Sequence, residues 1–245
     1  MERNQEAYAK KFLTAVKNIL KDQLEEVIGN LPGQEKHLKA AEGPGTFDQA
    51  AADAAFQEKL IAIMYELAKS QGALAIEFAG EKELEFELIA ALKSKLDDRL
   101  ALMAKNYNEE TIRQLKIVME AAQVEGLSLA EIKKRVEDVY DVARGYRAER
   151  IARTESISTA NLATVEGYRQ VGYITGKEWF TNPGACQYCN ALNGKIISLD
   201  KNFIELGGTI EAEDGSAYSV DYEAIQGPPA HPNCTCTVIP YRGEL

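Results

Sequence analysis

The sequence predicts an α+β fold, in which a mainly α-helical N-terminal region precedes a small β-rich C-terminal module held together by cysteines. Three observations predict it. Up to about residue 172, apolar residues recur at steps of three and four, the period of a helix with one buried face. Beyond Gly172, glycine, proline, asparagine and short β-branched runs replace that period. All four cysteines of the 245-residue chain lie in this last part.

Six helices are predicted before residue 172. In the first, seven apolar residues from Tyr8 to Val27 fall on one face. Glycines and prolines between residues 29 and 46 predict a loop, and the Thr46 hydroxyl is expected to cap the next helix. Ser128 and Glu131 have the spacing of a capping box, in which each side chain binds a free amide of the other residue. The predicted helices cover residues 4–28, 46–80, 82–103, 109–124, 128–143 and 146–171.

The C-terminal module is predicted to contain short strands separated by tight turns at Asn182-Pro-Gly and Asn193-Gly. The strands are expected within residues 177–181, 194–198 and 236–241. A core this small benefits from a covalent or metal cross-link. We therefore predict three segments: residues 1–126, a helical region that contacts a partner; residues 127–172, a further helical segment; and residues 173–245, the β-rich Cys/His module.

Composition and charge exclude several classes of function. The chain is 45% hydrophobic and 27% charged, as is ordinary for a globular protein. The N-terminus lacks the apolar segment of a secretory signal, and no run approaches the roughly 18 apolar residues that span a membrane. We therefore expect no membrane contact and a reducing cytoplasm, where stable disulfides are rare. The net charge of −10 argues against a general nucleic-acid binder, although residues 128–172 carry 8 basic against 7 acidic groups.

Two short cysteine segments predict a metal centre. Their candidate ligands are Cys186 and Cys189 in the first, and His231, Cys234 and Cys236 in the second. Two ligand pairs far apart in sequence are typical of structural zinc, whose four ligands form a tetrahedron. Our first choice is the four cysteines, and the alternative replaces Cys234 or Cys236 by His231.

Other roles for the cysteines remain open at this point. They could be four reduced thiols in a small core, or two disulfides formed after release from the cell. Catalysis by a cysteine is disfavoured, because the only other histidine available as a base is His37, in the predicted loop. Four thiolates would also fill the metal coordination shell, so the predicted zinc is structural rather than catalytic.

Roughly residues 127–240 contain a series of distinctive motifs. They are Ile151-Ala-Arg-Thr-Glu155, Asn161, Gly167-Tyr168, Gly172, Lys177-Glu-Trp179, Cys186-x-x-Cys189, Leu192-Asn-Gly194 and Pro228-Pro-x-His-Pro-x-Cys-x-Cys236. Together these motifs resemble the phage Mu F-like head morphogenesis family. The family commonly has arginine between the last two cysteines, whereas this chain has Thr235.

The resemblance implies a minor capsid protein of a tailed phage rather than an enzyme. It implies few copies per capsid, association with the portal or the major capsid protein, and a role in head assembly or in packaging or exit of DNA. The protein would be in the host cytoplasm during assembly and then in the virion, in the capsid interior or at the portal vertex. Only weak contact with packaged DNA is expected.

Three residues of the resembling region are predicted to have structural roles. Glu155 falls on the apolar face of the last helix, where a carboxylate needs a partner. We expect Glu155 to dock the C-terminal module, accepting a hydrogen bond from the module's backbone or from His231. Arg153 points to the opposite side and can pair with Glu149 four residues earlier. Trp179 is the third, as a member of a family motif.

Two alternative functions are weighed against the structural one. ADP-ribosyltransferase toxins use an arginine, a Ser-Thr-Ser strand and a Glu-x-Glu pair, for which the chain offers Arg153, Ser156-Ile-Ser-Thr159 and Glu211-Ala-Glu213. The first two lie on one predicted helix, which argues against that fold. A zinc-ribbon module that binds nucleic acid is opposed by the module's net charge of −5. Arg144, Arg147 and Arg150 wind around their helix and form no single stripe.

Overall fold

The computed structural model has the predicted α+β architecture and describes residues 2–31 and 47–244. Long helices occupy the first part of the chain, and short strands occur only after Gly172 among the described residues. The helices are α1 (Glu2–Gly29), α2 (Gln49–Phe78), α3 (Ala90–Glu125), α4 (Leu129–Val142), α5 (Ala148–Val171) and α6 (Gln187–Leu192), with a π-helical segment, Ala143–Arg147, between α4 and α5.

Five strands form two antiparallel sheets. The strands are β1 (Gly176–Phe180), β2 (Ile196–Ser198), β3 (Thr209–Glu211), β4 (Ala217–Ser219) and β5 (Thr237–Tyr241). β1 lies between β2 and β5, and β3 pairs with β4. In the larger sheet Lys177 faces Ile197 and Pro240, while Trp179 faces Val238. The three predicted strands are confirmed, whereas the β3–β4 hairpin was not predicted.

The chain divides into two compact units. One contains the described residues within Met1–Lys10, Ile63–Ser94 and Arg150–Leu245, and the other those within Lys11–Ala62 and Lys95–Glu149. In the second unit, apolar side chains of α1, α2, α3 and α4 are buried, among them Phe12, Leu60, Leu100 and Val136. Our division by role into residues 1–126, 127–172 and 173–245 follows sequence order and stays a prediction.

The unit that contains the C-terminal module has one continuous apolar core. It includes Ala75 of α2, Ala79 just after α2, and Val165 and Tyr168 of α5, together with the module's residues. The module's part of this core is Ile174, Trp179, Cys189, Leu192, Leu199, Phe203, Ile210, Val220, Ile225, Ala230, Cys234, Cys236 and Val238. The module therefore buries its apolar side chains on two helices rather than around itself alone.

Local signals at two helix starts have different outcomes. The predicted capping box is confirmed, because the Ser128 hydroxyl accepts from the Glu131 amide and the Glu131 carboxylate accepts from the Ser128 amide. The second helix begins at Gln49 instead of residue 46, and the carboxylate of Asp48 accepts from the Ala51 amide at 3.1 Å. Thr46, His37 and most of the predicted loop lie outside the described residues.

For the helix predicted over residues 82–103, the predicted start lies several residues before the observed one. Residues 84–89 have no regular secondary structure, and α3 begins at Ala90. The stretch Leu84-Glu-Phe-Glu-Leu88 alternates apolar and acidic residues, which is the period of a strand. The Gln170 side chain binds both the amide and the carbonyl of Glu87, at 2.9 and 2.7 Å, as a neighbouring strand would.

The predicted break between residues 103 and 109 was also wrong, since α3 is continuous through it. No glycine or proline interrupts this stretch. Tyr107 and Asn108 are buried, and the Asn108 amide donates to Asp53 at 2.6 Å. Tertiary contacts therefore hold these polar residues in helical conformation.

None of the helices in residues 2–31 and 47–244 is both long enough and apolar enough to cross a membrane.

Candidate metal centre

The two cysteine segments meet beside the three-stranded sheet. Cys186 is the N-cap of α6 and is half-buried, and Cys189 lies inside that helix and is buried. His231 to Cys236 form a turn and an extended stretch that leads directly into β5. Cys234 and Cys236 are buried with Thr235 exposed between them. The two cysteines therefore point to the same side, as predicted from the alternation of an extended chain.

All five predicted ligands lie in two overlapping groups. The ligand atoms of Cys186, Cys189 and His231 are within 4.8 Å of one another, and so are those of Cys189, Cys234 and Cys236. His231 Nε2 lies 3.0 Å from the Cys186 sulfur and 3.3 Å from the Cys189 sulfur. The sulfurs of Cys189 and Cys234 are 3.5 Å apart. Cys189 belongs to both groups and is therefore central.

His231 has the tautomer of a metal ligand. Its Nδ1 lies 2.9 Å from the carbonyl oxygen of Pro232. A carbonyl only accepts, so Nδ1 carries the proton and the lone pair of Nε2 faces Cys186 and Cys189. Histidines that bind metals commonly donate their other ring N–H to a carbonyl in this way.

The thiols ionise unequally. Hydrogen bonds from Cys189 and Cys234, opposed by burial, lower the pKa of Cys236 to about 3. The hydrogen bond to Cys234, the one to Cys236 and burial raise the pKa of Cys189 far above its usual range. Sulfurs this close cannot all become thiolates unless a cation offsets their charge.

The residues present fit a divalent thiophilic ion. In a tetrahedral zinc site with Zn–S of about 2.3 Å and Zn–N of about 2.0–2.1 Å, neighbouring ligand atoms lie roughly 3.5–3.8 Å apart. The three contacts at 3.0, 3.3 and 3.5 Å are close to these ligand–ligand distances. The buried indole N–H of Trp179 is near enough to help lower the pKa of Cys236, yet it meets no acceptor at hydrogen-bond geometry among the described residues.

One face of α5 binds the second cysteine segment and the start of β5 by hydrogen bonds. The sequence analysis did not predict this role of α5. The Thr154 hydroxyl accepts from the Asn233 amide at 3.2 Å. Asn161 donates to the carbonyl of Cys236 at 3.3 Å and accepts from the amide of Val238 at 3.1 Å. The Tyr168 hydroxyl donates to the carbonyl of Val238 at 3.4 Å.

The signal for this face was available as a spacing. Thr154, Asn161 and Tyr168 are seven residues apart, so they share one side of a helix at 100° per residue. We call these three residues the α5 ladder. The stripe formed by Ile151, Ser158, Leu162 and Val165, with Glu155 among them, drew the prediction to the adjacent side.

The three predicted structural residues lie in different environments. Trp179 is fully buried and packs edge-on against Phe203, with ring centroids 5.1 Å apart. Glu155 is 5% exposed, and Arg153 is exposed. Of the two ring nitrogens of His231, Nε2 lies beside the Cys186 sulfur and Nδ1 beside the Pro232 carbonyl oxygen. The docking role of Glu155 and the pairing of Arg153 stay predictions.

Two further polar contacts were not predicted from the sequence. Lys177 is buried on β1, and its ammonium group donates to the carbonyl of Leu199 at 2.9 Å. Arg242 and Tyr173 both donate to the carbonyl of Ala79 at 2.6 Å, just beyond the end of α2. A positive charge at the C-terminal end of a helix is stabilising. The contacts of Tyr173 and Arg242 therefore tie the module to the chain that follows α2, whereas the Lys177 contact lies within the module.

Comparison with known families gives one match. A family model described as Phage Mu protein F like protein matches residues 113–239, just over half of the chain. The matched region contains all of α4 and α5, both cysteine segments and most of β5. No curated protein and no solved structure matches the chain.

Proposed function

The chain belongs to the Phage Mu protein F like family of phage head morphogenesis proteins, and from this we propose that it is a structural, portal-associated component of a tailed-phage head. It would act in capsid assembly and in packaging or exit of DNA. The observation that carries the proposal is the extent of the match, which covers the α5 ladder together with the candidate metal centre. The protein would be made in the host cytoplasm and retained in the virion.

A structural role fits the chemistry of the C-terminal module better than a catalytic one. Arg153 and Ser156-Ile-Ser-Thr159, which were offered for an ADP-ribosyltransferase, lie on α5 rather than on strands, and Ser156 and Thr159 are buried within it. A dinucleotide needs an accessible cleft. The thiols of Cys189, Cys234 and Cys236 are buried as well, so they are suited to binding an ion and not to attacking a substrate.

The ion we propose is structural zinc. Held by four of the five Cys and His side chains, zinc would supply cross-links between α6 and the segment before β5. It would also offset the charge of thiolates that lie within 4.8 Å of one another. Such cross-links contribute directly to folding in small modules.

The proposed partner surface lies in the unit that contains most of α3. A groove of about 370 Å³ is lined by residues of α3, α4 and the π-helical segment, with Val118, Val139 and Val142 among charged side chains of both signs. Val142 is 63% exposed, and Val124 is 89% exposed. Exposed apolar side chains with a mixed charged rim are typical of protein-binding surfaces. We assign this groove to the portal protein.

Contact with DNA is the weaker partner proposal. Arg144 binds Asp141 at 2.5 Å, and Arg147 donates to the carbonyl of Tyr107 at 3.0 Å. Arg144 and Arg147 are therefore engaged within the protein. A filter-binding titration across salt concentrations measures the remaining affinity, which we expect to be weak and strongly salt-dependent.

Deletion of the gene from the phage tests the proposed function. We expect the other structural proteins to be made, while the particles are defective or poorly infectious, and mass spectrometry of wild-type virions should find a few copies of the protein. Normal yields of infectious particles without it would contradict an essential role in the head.

A pull-down with the portal protein tests the proposed groove. Val142→Glu should weaken co-purification, because it places a charge against the apolar contact. Leu206→Glu is the matched control, since Leu206 is 59% exposed but lies in the C-terminal module. Equal effects of both variants, or none from Val142→Glu, would remove the groove as the portal contact.

A further inference from the structure

We propose that the zinc ion is held by Cys186, Cys189, His231 and Cys234, and that Cys236 is a positioning residue outside this ligand set. The proposal rests on the structural zinc proposed above and replaces the four-cysteine set that the sequence favoured. It assigns histidine to the site and gives the fifth candidate a separate role.

Two turns with the same spacing carry the four ligands. Cys186 and Cys189 are three residues apart, and so are His231 and Cys234. The first pair is held by the start of α6, where the Asn190 amide donates to the Cys186 carbonyl at 2.9 Å. The second is closed by the Cys234 amide, which donates to the His231 carbonyl at 3.1 Å.

The second turn depends on one residue with positive φ. Asn233, between His231 and Cys234, has φ of 65°, a conformation that asparagine tolerates better than most residues. This reversal brings the His231 ring and the Cys234 sulfur towards Cys189 from the same turn. Two x-x turns of equal length facing one another are a common way to surround zinc with a tetrahedron.

Short distances join these four residues in sequence from one turn to the other. His231 Nε2 contacts the sulfurs of Cys186 and Cys189 at 3.0 and 3.3 Å, and Cys189 contacts Cys234 at 3.5 Å. Cys236 is grouped within 4.8 Å of Cys189 and Cys234, whereas His231 is grouped with Cys186 and Cys189. An ion bound to Cys189, which belongs to both groups, would lie close to the ligands of both turns.

Cys236 is instead held by its surroundings. Its sulfur lies close to the backbone of Asn182 and to the Trp179 indole. Its carbonyl accepts from Asn161, and the next residue begins β5. Cys236 therefore fixes the end of the His231 turn against β1 and α5 from outside the ligand set.

Zinc K-edge X-ray absorption on the full-length protein, purified with its metal, tests the ligand set directly. We expect three sulfurs at about 2.3 Å and one nitrogen at about 2.0–2.1 Å. Four sulfurs with no nitrogen would overturn this inference and leave the structural zinc intact. Protein that contains no zinc would overturn the zinc proposal itself, and the deletion phenotype would still test the role in the head.

Three variants assign the sulfurs. His231→Ala and Cys234→Ser should each reduce zinc from about one per chain to near zero. Cys236→Ser should keep about one zinc per chain and the same absorption spectrum, with affinity lowered about 10–100-fold, as for loss of a group that orients metal ligands. A Cys236→Ser protein whose spectrum has lost one sulfur would overturn the assignment. If the variants of His231 and Cys234 fail to fold, the wild-type spectrum together with Cys236→Ser still decides it.

Discussion

Asn161→Ala tests whether the α5 ladder holds the C-terminal module in place. Asn161 is 2% exposed and makes four hydrogen bonds. Three of them reach the chain around β5: the carbonyl of Cys236, the amide of Val238 and the hydroxyl of Thr237, at 3.3, 3.1 and 3.1 Å. The fourth goes to the carbonyl of Ile157 within α5. The substitution removes all four hydrogen bonds at once.

The expected cost follows from the groups left unpaired. The Cys236 carbonyl and the Val238 amide are buried with the side chains around them, and each unsatisfied buried group costs about 1–3 kcal/mol. The Ile157 carbonyl belongs to a helix and the Thr237 hydroxyl is only partly buried, so we add nothing for them. Asn161→Ala should therefore lower the free energy of unfolding of this unit by roughly 2–6 kcal/mol.

Urea unfolding followed by tryptophan fluorescence measures the change in the free energy of unfolding of the unit that contains the C-terminal module. Trp179 is the only tryptophan, and it is fully buried in the same core as the module. Asn190→Ala is the matched control, because Asn190 is exposed and donates one hydrogen bond to the Ala185 carbonyl at 3.2 Å. Its effect should stay within about 0.5 kcal/mol of wild type. An Asn161→Ala midpoint as close to wild type as that of the control would refute the reasoning.

Three further predictions follow from other contacts. Gly167→Ala should destabilise the protein by about 1–3 kcal/mol in thermal unfolding followed by circular dichroism, because a Cβ there would lie 2.7 Å from the Gly72 carbonyl oxygen. The control is Gly29→Ala, which has no atom within 4 Å of the added Cβ and should be neutral or slightly stabilising. Equal effects of the two variants would argue against close packing of helices at Gly167. Removing zinc with a chelator should speed hydrogen exchange mainly within residues 173–245, and equal acceleration in α3 would count against a local cross-link. The hydrogen bond from Arg113 lowers the pKa of Glu110 to about 2. The contribution of this ion pair to the free energy of unfolding should therefore be complete above about pH 4.5 and lost as pH falls through 2. Glu110→Gln should thus cost less than about 1 kcal/mol at pH 7 and nothing at pH 2, since the pair is largely exposed; a loss that grows towards low pH would contradict this sign.

Features encoded by neighbouring residues could be predicted from the sequence. The capping box of Ser128 and Glu131 needs only two side chains three residues apart, and it formed as expected. The cysteine segments were recognised because ligand spacing is a local property, and all five candidates came together. The strands beside these segments were predicted from short β-branched runs between turns.

Features that depend on distant partners could not be predicted. Leucines at steps of four suggested that the helix begins at residue 82. However, Leu84 and Leu88 lie in a stretch without regular secondary structure, whose Glu87 is bound by Gln170, 83 positions away. Glu155 drew attention as a carboxylate on an apolar stripe, while the neighbouring Thr154 makes the observed contact with Asn233. Period alone does not tell which side of a helix will meet a polar backbone.

The α5 ladder and the metal centre attach the same segment in two independent ways. The ladder holds the backbone of residues 233–238 by hydrogen bonds that need no metal. The proposed ion would hold the side chains of His231 and Cys234 against α6, which the ladder does not touch. Loss of zinc should therefore release α6 and the turn at Asn233 before it releases β5 from α5. Both features lie within the matched region. The helix would thus keep the module attached, while the ion would fix the shape of the surface that the module presents.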